Sequence, residues 1–290
     1  MAKALVVQNA VKLFGAKRAL DDISLDVEEG SIFGFLGPNG AGKTTMIRGM
    51  MDYIRLDSGS ITLLGLDSKN DSAALKNQIG YLSSDIQLHR NWTAREHIDF
   101  LGGIKGVGKA IELCSDFGLD ATLPVAKLSS GNKQKLAIAL AFLGDPQLII
   151  MDEPTRGLDP LLQNQLYDLL RSFAKSGGTV FFSSHNLAEV QTLCDNVAVI
   201  RSGKLVISES MDEVLKLNVH YVQASFTKII KLADFKKPDV EIVKSSENTI
   251  ELKAKGALNE VLAMLGKYPM QDLEVRHATL EEAFMEYYND

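Results

Sequence analysis

The 290-residue chain has only two cysteines, Cys114 and Cys194, far apart in the sequence. Two such residues build neither a disulfide framework nor a zinc cluster, which excludes the small stapled folds of secreted modules. Both sit among apolar neighbours and are expected to be small core residues of a protein in a reducing compartment. A basic excess is missing too: 31 Lys and Arg stand against 37 Asp and Glu, a net charge of −6. That balance argues against a nucleic-acid partner. No apolar run approaches the roughly 20 residues that cross a bilayer; the most apolar helix-like stretch is Leu136–Leu143. Met1-Ala-Lys-Ala-Leu lacks the long apolar run of a signal peptide. If a membrane is served, it is served from the side. Internal repeats and low-complexity segments are absent as well.

What remains is an ordinary globular composition, 46% hydrophobic and 23% charged, with room for one large domain and a small one. Ala4–Val7 and Ile23–Val27 read as strands, followed by a turn at Glu29-Gly30. Short apolar runs at Ser31–Leu36, Ile79–Leu82, Leu148–Met151, Thr179–Phe182 and Val197–Ile200 suit buried strands. Between them lie helical patterns, such as Leu166, Leu169, Leu170 and Phe173 on one helix face. Alternating strands and helices predict an α/β fold, a mostly parallel sheet covered on both sides. Residues 86–145 read helical throughout and are expected to form an inserted helical subdomain. From about 216 to 290 the pattern becomes β-α-β-β-α-β, the order of a ferredoxin-like α+β domain, with its last helix starting near Leu280.

Gly37-Pro38-Asn39-Gly40-Ala41-Gly42-Lys43-Thr44 fits G-x-x-x-x-G-K-[ST] between a predicted strand and a predicted helix. Its glycines let several N–H groups converge on one anion, and the following helix adds its positive end. Lys43 would reach the β- and γ-phosphates of ATP, Thr44 would offer a hydroxyl to Mg²⁺, and Thr45 lies beside them. Residues 103–109 fit G-x-x-x-x-G-K too, but Ala110 replaces the hydroxyl and no strand precedes it; this is expected to be a loop between helices. Downstream, Leu148–Met151 ends in Asp152 and Glu153, carboxylates at the edge where open α/β sheets bind ligands. Asp152 would hold Mg²⁺, directly or through water, and Glu153 would orient the attacking water. Their alternative is a pair of exposed acids. His185 ends another core strand at the same edge, where an N–H could contact the γ-phosphate. His89, His97, His220 and His277 are assigned to surface or packing.

In this order, the motifs resemble the ATPase subunits of ABC transporters over nearly all of residues 1–215. Leu128-Ser129-Ser130-Gly131-Asn132 resembles the family signature L-S-G-G-Q, Gly157-Leu158-Asp159-Pro160 its D-loop, and His185 its switch histidine. Phe14 stands where the family places an aromatic against adenine. The resemblance implies a cytoplasmic protein, peripheral to the membrane, that hydrolyses MgATP. Two copies, in a homodimer, would face head to tail, so that Ser129 and the Gly131 N–H bind a γ-phosphate held by the partner. Separate transmembrane permease subunits would take up the motion. Two departures stand out. Ser84, in Ser83-Ser84-Asp85, occupies the Q-loop position, where a Gln or Glu is usual, and Ser130 and Asn132 replace a Gly and the Gln of the signature. They motivate an alternative, a nucleotide-binding regulatory subunit with weak hydrolysis. A DNA-repair or translation ATPase is disfavoured because paired ATPase domains and long coiled-coil insertions are missing. Finally, Ala278-Thr279-Leu280-Glu281-Glu282-Ala283-Phe284 resembles the closing segment of bacterial drug- and antibiotic-resistance exporters; the alternative is a helix that caps the small domain.

Overall fold

The structure, a computed structural model, describes residues 2–215, 219–256 and 258–277. The chain divides into two compact units, Met1–Met211 and Asp212–Asp290. The division precedes the 215/216 boundary read from the sequence because the last strand of the first unit already ends at Ser210.

The first unit contains two sheets. In the smaller one, β1 (Lys3–Phe14), β2 (Lys17–Glu28), β4 (Ser58–Leu63) and β5 (Leu66–Asp67) are antiparallel in the order β2-β1-β4-β5. The first two strands are far longer than Ala4–Val7 and Ile23–Val27. Asn9 (φ 47°) and Asp22 (φ 60°) interrupt the two-residue alternation, and register shifts flank Ala10; a bulge of this kind hides a strand from a period-2 search.

The larger sheet orders β10 (Lys204–Ser210), β9 (Asn196–Arg201), β3 (Ile32–Leu36), β8 (Thr179–Ser184), β7 (Leu148–Asp152) and β6 (Ile79–Leu82) side by side. All pairs are parallel except β10 with β9. Every residue of β3, β7 and β8 is buried, which is why these strands read as continuous apolar runs. Their covers include α1 (Lys43–Met50), α2 (Ser72–Gln78), α6 (Pro160–Lys175) and α7 (Leu187–Leu193). On α6 the buried stripe is Leu162, Leu166, Tyr167 and Leu170, shifted from the expected face so that Leu169 and Phe173 are only partly buried. Phe35, Phe181, Met46, Ile47, Leu5 and Leu20 belong to one core cluster joining both sheets. Each such side chain contributes about 1.5–3 kcal/mol by leaving water.

Residues 86–145 are not helical throughout. They hold α3 (Ala94–Lys105), α4 (Ala110–Asp116), a 3₁₀ turn at Val125–Lys127 and α5 (Ser130–Ala141). Thr93 and Glu96 form a capping box that starts α3 late, and Ser129 caps α5 at its start, Ser130. Gly103 lies within α3, and only residues 106–109 separate it from α4.

The division falls at the start of α8 (Met211–Leu215), and the second unit continues with β11 (Val219–Phe226), β12 (Val240–Ser245), β13 (Thr249–Lys255), α9 (Leu258–Leu265) and β14 (Met270–His277). Its antiparallel sheet has the order β12-β13-β11-β14, the strand order of a ferredoxin-like domain. The helix expected between the first two strands is replaced by a 3₁₀ turn, Leu232–Phe235, whose Phe235 is fully buried. Pro238, close behind, leaves no room for a longer helix. The segment Ala278–Phe284 and the helix expected from Leu280 lie outside the described residues. Among the described residues no helix is long and apolar enough to cross a membrane.

Candidate functional site

The carboxyl ends of β3, β8, β7 and β6 point to one edge of the larger sheet, and the loops that leave them carry the motif residues. After β3 the chain turns through residues 37–42 into α1, which starts at Lys43. Only glycine fits at two points of this turn. A Cβ on Gly37 would lie 2.4 Å from the Ile200 carbonyl, and one on Gly42 (φ 120°) 2.4 Å from the Ala19 carbonyl. Pro38 and Ala41 close the turn, with the Ala41 N–H donating to the Pro38 carbonyl at 3.2 Å. Gly40 takes φ 79°.

Above the loop is a cleft of about 200 Å³ lined by Phe14, Lys17, Ala19, Asn39, Gly40, Gly42, Lys43, Thr44, Thr45 and Glu153. Phe14 and the phosphate loop are therefore together; Lys17 and Ala19 had no sequence signal. Phe14 is half exposed, with the Lys12 ammonium 5.5 Å from its ring centroid. Lys43 is buried, and its Nζ donates to the Gly37 carbonyl at 2.6 Å and the Pro38 carbonyl at 3.3 Å.

Asp152 is the convergence point of the neighbouring oxygens. Its Oδ2 accepts from the Thr44 and Ser84 hydroxyls, both at 2.8 Å, and its Oδ1 from Ser183 at 2.6 Å. This donor set fits Mg²⁺: a hard cation takes oxygen ligands, and it is commonly held by one carboxylate together with substrate phosphates. No group of three or more His, Cys, Asp or Glu that would form an all-protein metal cage occurs among the described residues. Nearby on β6, burial pushes the Tyr81 phenol up, and the charge of Asp152 adds to the effect.

Glu153 follows in a left-handed conformation, φ 51°, its N–H donating to the Ser183 carbonyl and hydroxyl at 3.2 Å each. This turns its carboxylate away from the strand and into the cleft. There Oε1 lies 3.6 Å from Lys43 Nζ and 3.2 Å from His185 Nδ1. The His185 ring is more than half exposed. Three residues from three separate motifs thus meet at one oxygen.

The signature residues Ser129, Ser130, Gly131 and Asn132 do not line this cleft. They form the start of α5, where Ser129 Oγ accepts the Asn132 N–H at 3.2 Å, and Gly131 stands beside the Gly157 carbonyl. Asp159 is occupied as the N-cap of α6, accepting from Leu162 N–H at 2.9 Å. Sequence reading missed Gln134, whose side-chain amide donates to the Pro154 carbonyl at 2.7 Å, and Glu189, which accepts from Thr155 and Ser184. Neither belongs to a recognisable string. Of the remaining histidines, His97 is buried, its Nδ1 2.8 Å from the Thr93 carbonyl and its Nε2 accepting the His89 N–H at 3.0 Å.

The family model described as "ABC transporter" matches residues 20–156. The bacitracin transport ATP-binding protein BcrA of Bacillus licheniformis is 37% identical over 229 residues, 77% of this chain and 75% of that protein. The daunorubicin resistance ATP-binding protein DrrA3 of Streptomyces coeruleorubidus is 33% identical over 219 residues, 73% of this chain and 69% of that protein. A solved ATP-binding subunit of an ABC transporter superposes with a TM-score of 0.68 at 27% identity, covering 73% of this chain and 91% of the other.

Proposed function

The chain belongs to the ABC transporter ATP-binding proteins, ABC-type ATPases, and from that premise we propose that it is the motor subunit of an exporter, a head-to-tail dimer driving separate membrane-spanning chains. The observation that carries the proposal is the Glu153 carboxylate, held against both Lys43 and His185 beside Asp152.

ATP would lie in the cleft with its adenine on Phe14 and its phosphates over Asn39, Gly40, Gly42 and Thr45. Lys43, now paired with main-chain carbonyls, would move its donors to the β- and γ-phosphates. Thr44, Ser84 and Asp152 would hold Mg²⁺, which when bound neutralises phosphate charge. Glu153 would accept a hydrogen bond from the attacking water and orient it towards the γ-phosphorus. His185, whose Nδ1 faces that carboxylate, would turn its other ring nitrogen towards the γ-phosphate. Ser84 reaches Asp152 despite its short side chain, which supports hydrolysis over the weakly active regulatory reading.

A second copy would supply what the cleft omits. Ser129, Ser130, Gly131 and Asn132 have a helix N-terminus fit for an anion but do not face their own chain's cleft; they would complete the partner's site. The permease contact is supported by a groove of about 700 Å³ whose lining includes Tyr53, Tyr81, Ile86, Leu101 and Ile104. Ile104 is 71% exposed and shares α3 with the exposed Phe100 and Leu101, an apolar patch of the kind that marks a contact with another chain. In this reading residues 1–215 are the ATPase domain, residues 216–290 an accessory domain, and the protein sits at the inner face of the cell membrane. Export rests on the bacitracin and daunorubicin-resistance relatives and on the Ala278–Phe284 string.

Glu153→Gln tests the hydrolytic role. A fall in kcat of about 100-fold or more with ATP binding retained is expected for loss of a general base. Near-normal hydrolysis would overturn the assignment.

A further inference from the structure

Glu189 is a buried carboxylate in the first turn of α7, outside the cleft around Lys43. Its Oε1 accepts from the Thr155 hydroxyl at 2.8 Å and the Asn186 amide at 3.4 Å, and its Oε2 from the Ser184 hydroxyl at 2.7 Å. Ser184 Oγ in turn accepts the Asn186 N–H at 2.9 Å. All of these partners are neutral. Burying a carboxylate among neutral donors is costly, so its place in the fold calls for a reason.

The reason lies in what the two oxygens join. Thr155 belongs to the tight turn that opens at Glu153, where the Arg156 N–H donates to the Glu153 carbonyl at 3.2 Å. Ser184 is the last residue of β8, immediately before His185. Glu153 and His185 come from different loops, and their 3.2 Å contact has no covalent cause. One oxygen of Glu189 holds the first loop, and the other holds the second. We propose that Glu189 is a positioning residue for hydrolysis, a two-armed brace that sets Glu153 and His185 against each other. This rests on the reading that Glu153 and His185 act at the attacking water.

The test compares steady-state hydrolysis of MgATP by the full chain and by E189A, E189Q, E153Q and E153Q/E189A. Loss of the brace is expected to lower kcat about 10- to 100-fold, the scale of small misplacements at a reacting centre. KM for MgATP should stay within about twofold, since the phosphate loop is untouched. E189Q can keep Oε1 as acceptor for Thr155 and Asn186 while donating to Ser184, so it should retain a third or more of the rate. The double variant should be no slower than E153Q alone, because a brace has no effect once the group it positions is gone. A purely structural role would not give this non-additivity. A rate for E189A within twofold of wild type, or the same fold loss in both backgrounds, would overturn the proposal. Full activity of E153Q would instead remove the hydrolytic reading beneath it. Should E189A fail to fold, T155V and S184A each cut one arm and are judged by the same rates and the same cycle.

Discussion

Asp152 and Glu153 are adjacent carboxylates with opposite surroundings. Asp152 is buried under three hydroxyls, whereas the left-handed turn at Glu153 aims its carboxylate at a lysine and a histidine. Replacing Ser84 with Ala removes one oxygen from the Asp152 cluster. A single hydrogen bond of this kind is worth about 1 kcal/mol. The Mg²⁺ concentration for half-maximal hydrolysis is therefore expected to rise about fivefold, as read by a metal titration; an unchanged midpoint would separate Ser84 from the metal site. The cysteines give a second check at this scale. Burial pushes the Cys114 thiol up to about 11 and Cys194 well above the ordinary range. Only the thiolate reacts readily, so at pH 8 the native protein should show almost no fast thiol with a disulfide reagent, and two after denaturation. A fast thiol in the native state would contradict the burial of both.

At the scale of elements, stability rests on caps and buried anchors. Thr93→Ala destroys the capping box of α3 and should cost about 1 kcal/mol of stability, measurable by urea unfolding. In the second unit, Phe235 is the buried anchor of a crossover that lacks an α-helix. Phe235→Ala should cost about 3–5 kcal/mol, seen as loss of the second unit's hydrogen-exchange protection, with that of the buried strands β3, β7 and β8 retained. Legibility in the sequence follows the same physics. A buried strand such as Ile79–Leu82 was legible to the residue, because an apolar run ends where burial ends. The hairpin of β1 and β2 was cut short by the bulges at Asn9 and Asp22. Residues 86–145 looked continuously helical because the irregular stretches 86–93 and 117–129 carry apolar residues too and leave little trace in apolar spacing.

For the whole molecule, the motif residues were legible as strings but their meetings were not. Nothing in the spacing of Lys43, Glu153 and His185 says that they share one oxygen; the parallel order of β3, β8 and β7 brings them there. Glu189, with no string around it, could be found only from the fold. The same geometry leaves Ser129 and Gly131 off their own chain's cleft, the observation behind the proposal that one copy holds half a site. The most direct measurement is steady-state phosphate release from MgATP by the purified chain across a range of protein concentration. A composite site requires activity per molecule to climb with concentration, with the activity lost in Glu153→Gln. Activity per molecule that is constant down to the lowest concentration, from a chain shown by sedimentation to be monomeric, would contradict it.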